Sequence, residues 1–364
     1  MKTIHKEFSL TKISPILSEY FNESSLFFDI ETTGFSPKNA QLYLIGCIKR
    51  KGTLLLVDQF FAENLLDEPK VLDAFLQLLT PDMQLICFHG IGFDLPFLNE
   101  KIQQFHMDFS LSTMNCLDLF KQMYPYKKIL GLENRTQRTY EDYLQTNRLD
   151  SFTGGELISV YKEYCKHPSA EVLELLLQHN LDDLTGMVTL LPLMAYPCLF
   201  QGKYEISSLK RNDYTSQQGT SAKEVFFSLT PKFSLPHKIS YLKDDFYLSG
   251  TESTLTLRAQ IHCTQLKFFY NNYKDYYYLP MEDLVIHKSV GSYVSKEFRE
   301  KATSENCFIR KDGEFLGQPQ QLFSPSFCYE RKDRMHYFEL NTAFLKDSAL
   351  QKKYCDLILS YLLR

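Results

Sequence analysis

LFFDIETTG, residues 26–34, decides how this chain is read. It is a short apolar run ending in Gly34, with Asp29 and Glu31 two residues apart inside it. Strand side chains alternate between faces, so both carboxylates project from the same side. Two like charges beside Phe27, Phe28 and Ile30 are costly, because burial and mutual repulsion both disfavour ionisation. A bound cation removes that cost, whereas an exposed edge-strand pair or a helix cap is the plainer use of such acids.

Outward from this strand, residues 41–49 (QLYLIGCIK), 53–61 (TLLLVDQFF) and 83–88 (MQLICF) are further apolar runs with strand punctuation. The first three runs are spaced as an antiparallel meander. VLDAFLQLL (71–79) has helical spacing and makes a crossover before the fourth. Helical patterns begin at Leu95, cover Glu156 to Cys165, and run from about Ala170 to Met194. The expected fold class is α/β, a mixed sheet flanked by helices, with a smaller C-terminal β-rich or α+β domain. The boundary is placed near residue 200, giving domains 1–199 and 200–364, because tyrosine-rich alternating segments replace long helices there.

A chain of 364 residues with 44% hydrophobic residues has enough material for two cores. The formal charge of -4 gives no global basic signature, so contact with nucleic acid has to rest on local cationic patches. Nine cysteines without a C-x-x-C pair speak for free thiols in a reducing cytosol, not for zinc knuckles or a disulfide framework. The N-terminus lacks the apolar core of a secretory signal. The most apolar stretch, Val188 to Phe200, is broken by Pro192 and Pro197 and is too short to span a bilayer. A cytoplasmic protein with no membrane partner is expected; protein partners have no signature.

Two further elements carry acids. In CFHGIGFDLPFL (87–98), Asp94 follows a strand and a glycine turn at a helix start, where it suits a metal or the helix dipole. In LLLQHNLDDLTGM (175–187), His179 and Asp183 are one helical turn apart, so they share a face; Asp182 lies further round.

Together these elements resemble the exonuclease motifs of the DEDD superfamily: D-x-E-T-x-G at Asp29–Gly34, x-G-x-x-F-D at His89–Asp94, and a final His/Asp helix. The resemblance covers roughly residues 24–195 and is closest to the bacterial YprB-like group, which shares PFL after the second motif, a helix start near Gly155, and H-N-x-x-D at His179–Asp183. His89 stands where that family often has Asn, and His179 precedes Asp183 by four residues where the superfamily has Tyr at four or His at five. Residues 274–317 resemble C-terminal extensions on such proteins.

The resemblance implies a ribonuclease H-like fold and 3′→5′ exonuclease action on single-stranded DNA or RNA. Four carboxylates suit two divalent cations, Mg²⁺ or Mn²⁺, in a two-metal hydrolysis. Asp29 is expected to bridge them, Glu31 and Asp183 to complete one site, Asp94 to serve the other, and His179 to take the proton of the attacking water. Thr32 and His89 are the expected substrate-binding residues. Phe35 and Phe93 are placed to wedge terminal bases, with core packing as their ordinary use. His287, Lys288, Lys296, Arg299, Lys301, Arg310 and Lys311 lean basic around Tyr293 and Phe298, a pattern that fits a solvated face better than a strand guide. A dead nuclease fold used as an interaction module and an endonuclease on the same scaffold are the competing functions.

Overall fold

Lys2–Ser9 forms a strand, β1, that no apolar alternation announces, since most of its side chains are exposed. It pairs antiparallel, residue for residue, with Leu54–Phe61. The computed structural model describes residues 1–146, 154–215 and 221–364. Its contacts divide the chain into two units, Met1–Pro197 with Leu235–His237 and Cys198–Ser234 with Lys238–Arg364.

After β1 the first unit runs α1 (Pro15–Tyr20), β2 (Ser25–Thr32), β3 (Leu42–Lys51), β4 (Leu54–Phe61), α2 (Glu68–Leu76), β5 (Gln84–Cys87) and α3 (Asp94–Gln104). Then come β6 (Asn115–Asp118), α4 (Leu119–Met123), α5 (Gln137–Tyr143), α6 (Gly154–Lys166), α7 (Ala170–Leu190) and α8 (Ala195–Phe200), within which the first unit's continuous stretch ends at Pro197. The six strands lie in the order β1-β4-β3-β2-β5-β6. Pairing is antiparallel from β1 to β2 and parallel from β2 through β5 to β6. The meander and the crossover by α2 are the ones the apolar spacing predicts, and the sheet is mixed because β5 has to return parallel to β2.

Alternation along β2 divides its side chains between two layers. Phe28 packs against Phe75 of α2, with ring centroids 5.7 Å apart, and Leu26, Phe28 and Ile30 join Val71 and Leu72 in one core. Burying each such side chain contributes about 1.5–3 kcal/mol. Asp29 faces the other way, toward α7. That helix starts cleanly because the Ser169 side chain accepts from the Val172 amide. The helical stretch Ala170–Phe200 is long and apolar enough to cross a membrane, yet 78% of its apolar window is buried in the protein.

The second unit holds β7 (Tyr204–Thr215), β8 (Ser221–Pro231), β9 (Ile239–Lys243), β10 (Phe246–Gly250), β11 (Leu255–Phe269), β12 (Tyr276–Leu279), β13 (Leu284–His287), α9 (Lys288–Gly291), β14 (Glu300–Lys301), β15 (Phe308–Gln318), β16 (His336–Glu339), α10 (Thr342–Lys346) and α11 (Ser348–Leu362). A seven-stranded antiparallel sheet is built on β11, which pairs β10 and β8 along its first half and β15 along its second. A small sheet, β13-β12-β14, stands beside it. Tyr354 of α11 closes the main sheet, its hydroxyl donating to the Gly317 carbonyl at 3.0 Å. The β-rich C-terminal character is as the sequence predicts.

Candidate metal centre

Across the sheet, Asp29 of β2 stands opposite Gly46 of β3, and Gly46 opposite Gln59 of β4. A side chain at Gly46 would overlap Asn180 Oδ1 of α7. The missing side chain lets Asn180 reach through and donate to Asp29 Oδ2 at 3.0 Å. Gln59 steadies Asn180 in turn, its Nε2 donating to Asn180 Oδ1 at 2.9 Å and to the Leu177 carbonyl at 2.8 Å. Gln59 and Asn180 are fully buried, so this chain of amides is aimed at one carboxylate.

The residues on either side of Asn180 in α7, His179 and Asp183, supply the other half of the site. His179 Nε2 lies 3.6 Å from Glu31 Oε1 and 3.4 Å from Asp183 Oδ2. The ligand atoms offered by Glu31, His179 and Asp183 all fall within 4.8 Å of one another. The Tyr43 hydroxyl lies 3.5 Å from Glu31 Oε2, and burial pushes that phenol far above its ordinary range. An imidazole nitrogen is thus inside the cluster, where the sequence reading expects oxygen donors alone.

Asp94 is the first residue of α3 and comes close to Gly90, where a Cβ would lie 2.9 Å from Asp94 Oδ2. Burial pushes its carboxyl up to about 7, the amides of Asp94 and Ile30 working against that and the charges of Asp118 and Asp183 adding to it. Asp29 is also held well above the usual carboxylate range, by burial first and then by Asp183, Glu31 and Asp94, with the Asn180 amide opposing. The four acids of the motifs therefore feel one another. Buried carboxyls kept from ionising by burial and by each other are what a divalent cation relieves, so this donor set fits a divalent metal ion.

The substrate-binding candidates part company. The Thr32 hydroxyl donates to the Gly34 carbonyl at 2.9 Å and so serves the turn. His89 is exposed, holds a left-handed φ of 66°, and lines a cavity of about 490 Å³ together with Asp29 and Asp183. Asp118, which the motifs do not include, fixes that strained turn by accepting from the His89 amide at 2.9 Å and the Ile91 amide at 3.2 Å. Asp182 instead accepts from Gln178 Nε2 at 2.6 Å. Phe35 corrects the expectation of core packing, being 87% exposed with its ring 6.1 Å from Phe93. In the basic-leaning stretch Arg310 pairs with Asp283, Lys311 with Glu339 at 2.7 Å, and Arg299 lies over the Tyr277 ring at 4.3 Å.

Residues 26–195 match the family model of the RNase H superfamily, and with the mixed sheet and its flanking helices this makes the first unit a ribonuclease H-like domain. Among solved structures, the family B DNA polymerase from the archaeon Pyrobaculum calidifontis is similar at 16% identity and a TM-score of 0.37, over 48% of this chain and 25% of that one. E. coli Exonuclease I in complex with a dT13 oligonucleotide is similar at 10% identity and a TM-score of 0.33, over 57% of this chain and 55% of its own. A structure described as the apo form of the nuclease follows at 17% identity and a TM-score of 0.30, over 49% and 76%. The chain spans about a quarter of the polymerase and about half of Exonuclease I. At these scores the likenesses say nothing about activity. No curated protein matches the chain.

Proposed function

We propose that residues 1–199 form a divalent-metal-dependent exonuclease of the DEDD type, in the YprB-like group, that shortens single-stranded DNA or RNA from its 3′ end in the cytoplasm. One observation supports the reading: Glu31 and Asp183 gather around His179, and the buried Asp29 and Asp94 are pushed up by burial first and then by neighbouring carboxylates that include Asp183. A fold that only needed shape would not keep such a cluster.

Asp29 would bridge two cations, Glu31 and Asp183 would complete one site, and Asp94 would serve the other. Bound Mg²⁺ or Mn²⁺ supplies charge neutralisation and a water acidic enough to attack a phosphodiester near neutral pH. His179, whose Nε2 lies 3.6 Å from Glu31 and 3.4 Å from Asp183, would accept the proton of the attacking water. Asn180 and Gln59 keep the Asp29 carboxylate turned toward the shared volume. The exposed Phe35 ring, just after the first motif, offers a face to a terminal base. Nine free thiols fit a reducing compartment.

The test is cleavage of matched single-stranded DNA and RNA, with free and blocked 3′ ends, in Mg²⁺ or Mn²⁺, beside an Asp29→Asn control. Mononucleotides released from free ends alone are expected. Internal cuts would make the protein an endonuclease, no cleavage by the unaltered chain would make it a binding module, and undiminished activity in the control would mean the wrong site.

A further inference from the structure

A strand to be cut has to bring its phosphates to a site built of carboxylates, and repulsion opposes that unless a cation stands at the rim. The cavity beside Asp29 and Asp183 has one, Arg135. Its guanidinium lies over the Tyr124 ring, 4.0 Å from the centroid, and its Nε donates to the Tyr124 carbonyl at 3.0 Å. Among the described residues no carboxylate pairs with it, which leaves its two Nη groups to meet an oxyanion. Two residues on, Gln137 Nε2 donates to the Asp183 carbonyl at 2.8 Å, tying the loop that carries Arg135 to the helix that carries the acid.

The same wall is aromatic without a break. The His89 ring lies 4.4 Å and the Phe88 ring 5.8 Å from Phe120, and Phe120 lies 5.6 Å from Tyr124, the ring beneath Arg135. His89 is exposed and Tyr124 is 50% exposed, so this face is open to a planar ligand. We propose that this wall seats one nucleotide of the strand next to the cut, with Arg135 on its phosphate and the His89 and Phe120 rings against its base. The inference rests on the exonuclease reading and adds what is recognised: backbone charge and a π-face that every base possesses, so base identity is ignored.

The experiment uses the full-length Glu31→Gln protein in Mn²⁺, with fluorescein-labelled oligothymidylate and oligouridylate, and follows anisotropy through a salt series. Arg135→Ala should weaken binding about ten- to a hundredfold and shrink the slope of log K against log salt by about 0.7, the share of one phosphate on a single strand. Arg135→Lys should keep that slope and still bind less tightly, because an ammonium neither forks nor stacks. Phe120→Leu should weaken both oligonucleotides by about fivefold or more and leave the slope alone. The proposal is overturned if Arg135→Ala keeps the parent's slope, or if Arg135→Lys loses it. A parent that binds while Arg135→Ala matches it removes this inference only. If Glu31→Gln binds no strand and the unaltered chain cleaves none, the exonuclease reading falls with it.

Discussion

Glu314 in the second unit and Asp29 in the first are both strand carboxylates, yet their surroundings act on them in opposite directions. Glu314 accepts from Lys223 and from Arg211, each at 2.7 Å, and Lys223 foremost holds its carboxyl below the usual range. Asp283 is likewise held down, by Arg310 first and then by the Tyr278 hydroxyl. Asp29 and Asp94 are pushed up by burial, and the charges nearest them are more carboxylates. Glu314 and Asp283 are neutralised by the chain's own cations; the acids on β2 and α3 have other carboxylates beside them, which is the setting the proposed metal centre requires.

Replacing one acid from each set tests this contrast hardest. Asp29→Asn should cost roughly a thousandfold in cleavage while the metal-free protein melts no lower than the parent, since a repelled charge has gone. A clearly lower melting temperature would show that Asp29 is there for the fold. Gly46→Ala comes next, because its methyl group has to displace Asn180. Overpacking of this kind costs about 1–3 kcal/mol in denaturant unfolding, and activity should drop with it. Wild-type stability together with full activity would mean that the route from Gln59 to Asp29 does not matter.

Manganese should raise the melting temperature, by about 2.7 kcal/mol of stability at a hundred times its dissociation constant. The sign with pH follows from Asp94, whose value near 7 exceeds its ordinary 3.8. The folded state then holds more protons than the unfolded one in that window. The resulting stability is complete below about pH 4 and is lost as pH rises through about 7, so the metal-free protein melts lower at pH 8 than at pH 6. Manganese binds the ionised form and should stabilise more at pH 8; equal stabilisation at both would exclude Asp94 from the centre. Asn180→Ala should lower activity about ten- to a hundredfold and move the acid limb of the rate profile to higher pH, because the Asn180 amide opposes the upward push that burial gives Asp29. Glu314→Gln is the smallest effect, under about 1 kcal/mol in unfolding with unchanged cleavage.

Much of this arrangement is visible in local periodicity. Asp29 and Glu31 share a face because strands alternate, and His179 and Asp183 meet because helices turn every 3.6 residues. The parts that sequence reading misses are held by long-range contacts: Gln59 meets Asn180 across 121 positions, and Gly46 matters only because a helix presses on it. Arg135 stands in a segment with no apolar rhythm, so nothing local marks it. β1 and the four-residue β6 are defined by their neighbours' hydrogen bonds more than by their own composition. Phe35 reads more readily as core than as a wedge because an aromatic ring is usually buried, whereas in the fold it faces solvent.

Helix α7 carries His179, Asn180 and Asp183, while Asp29, Glu31 and Asp94 come from the first hundred residues. During synthesis the early acids therefore leave the ribosome well before their partners exist. A chain stalled short of residue 179 lacks its imidazole, its positioning amide and its last carboxylate, and so has no complete cage for an ion. On the function proposed, cleavage would begin only when that late helix docks and Asn180 reaches Asp29.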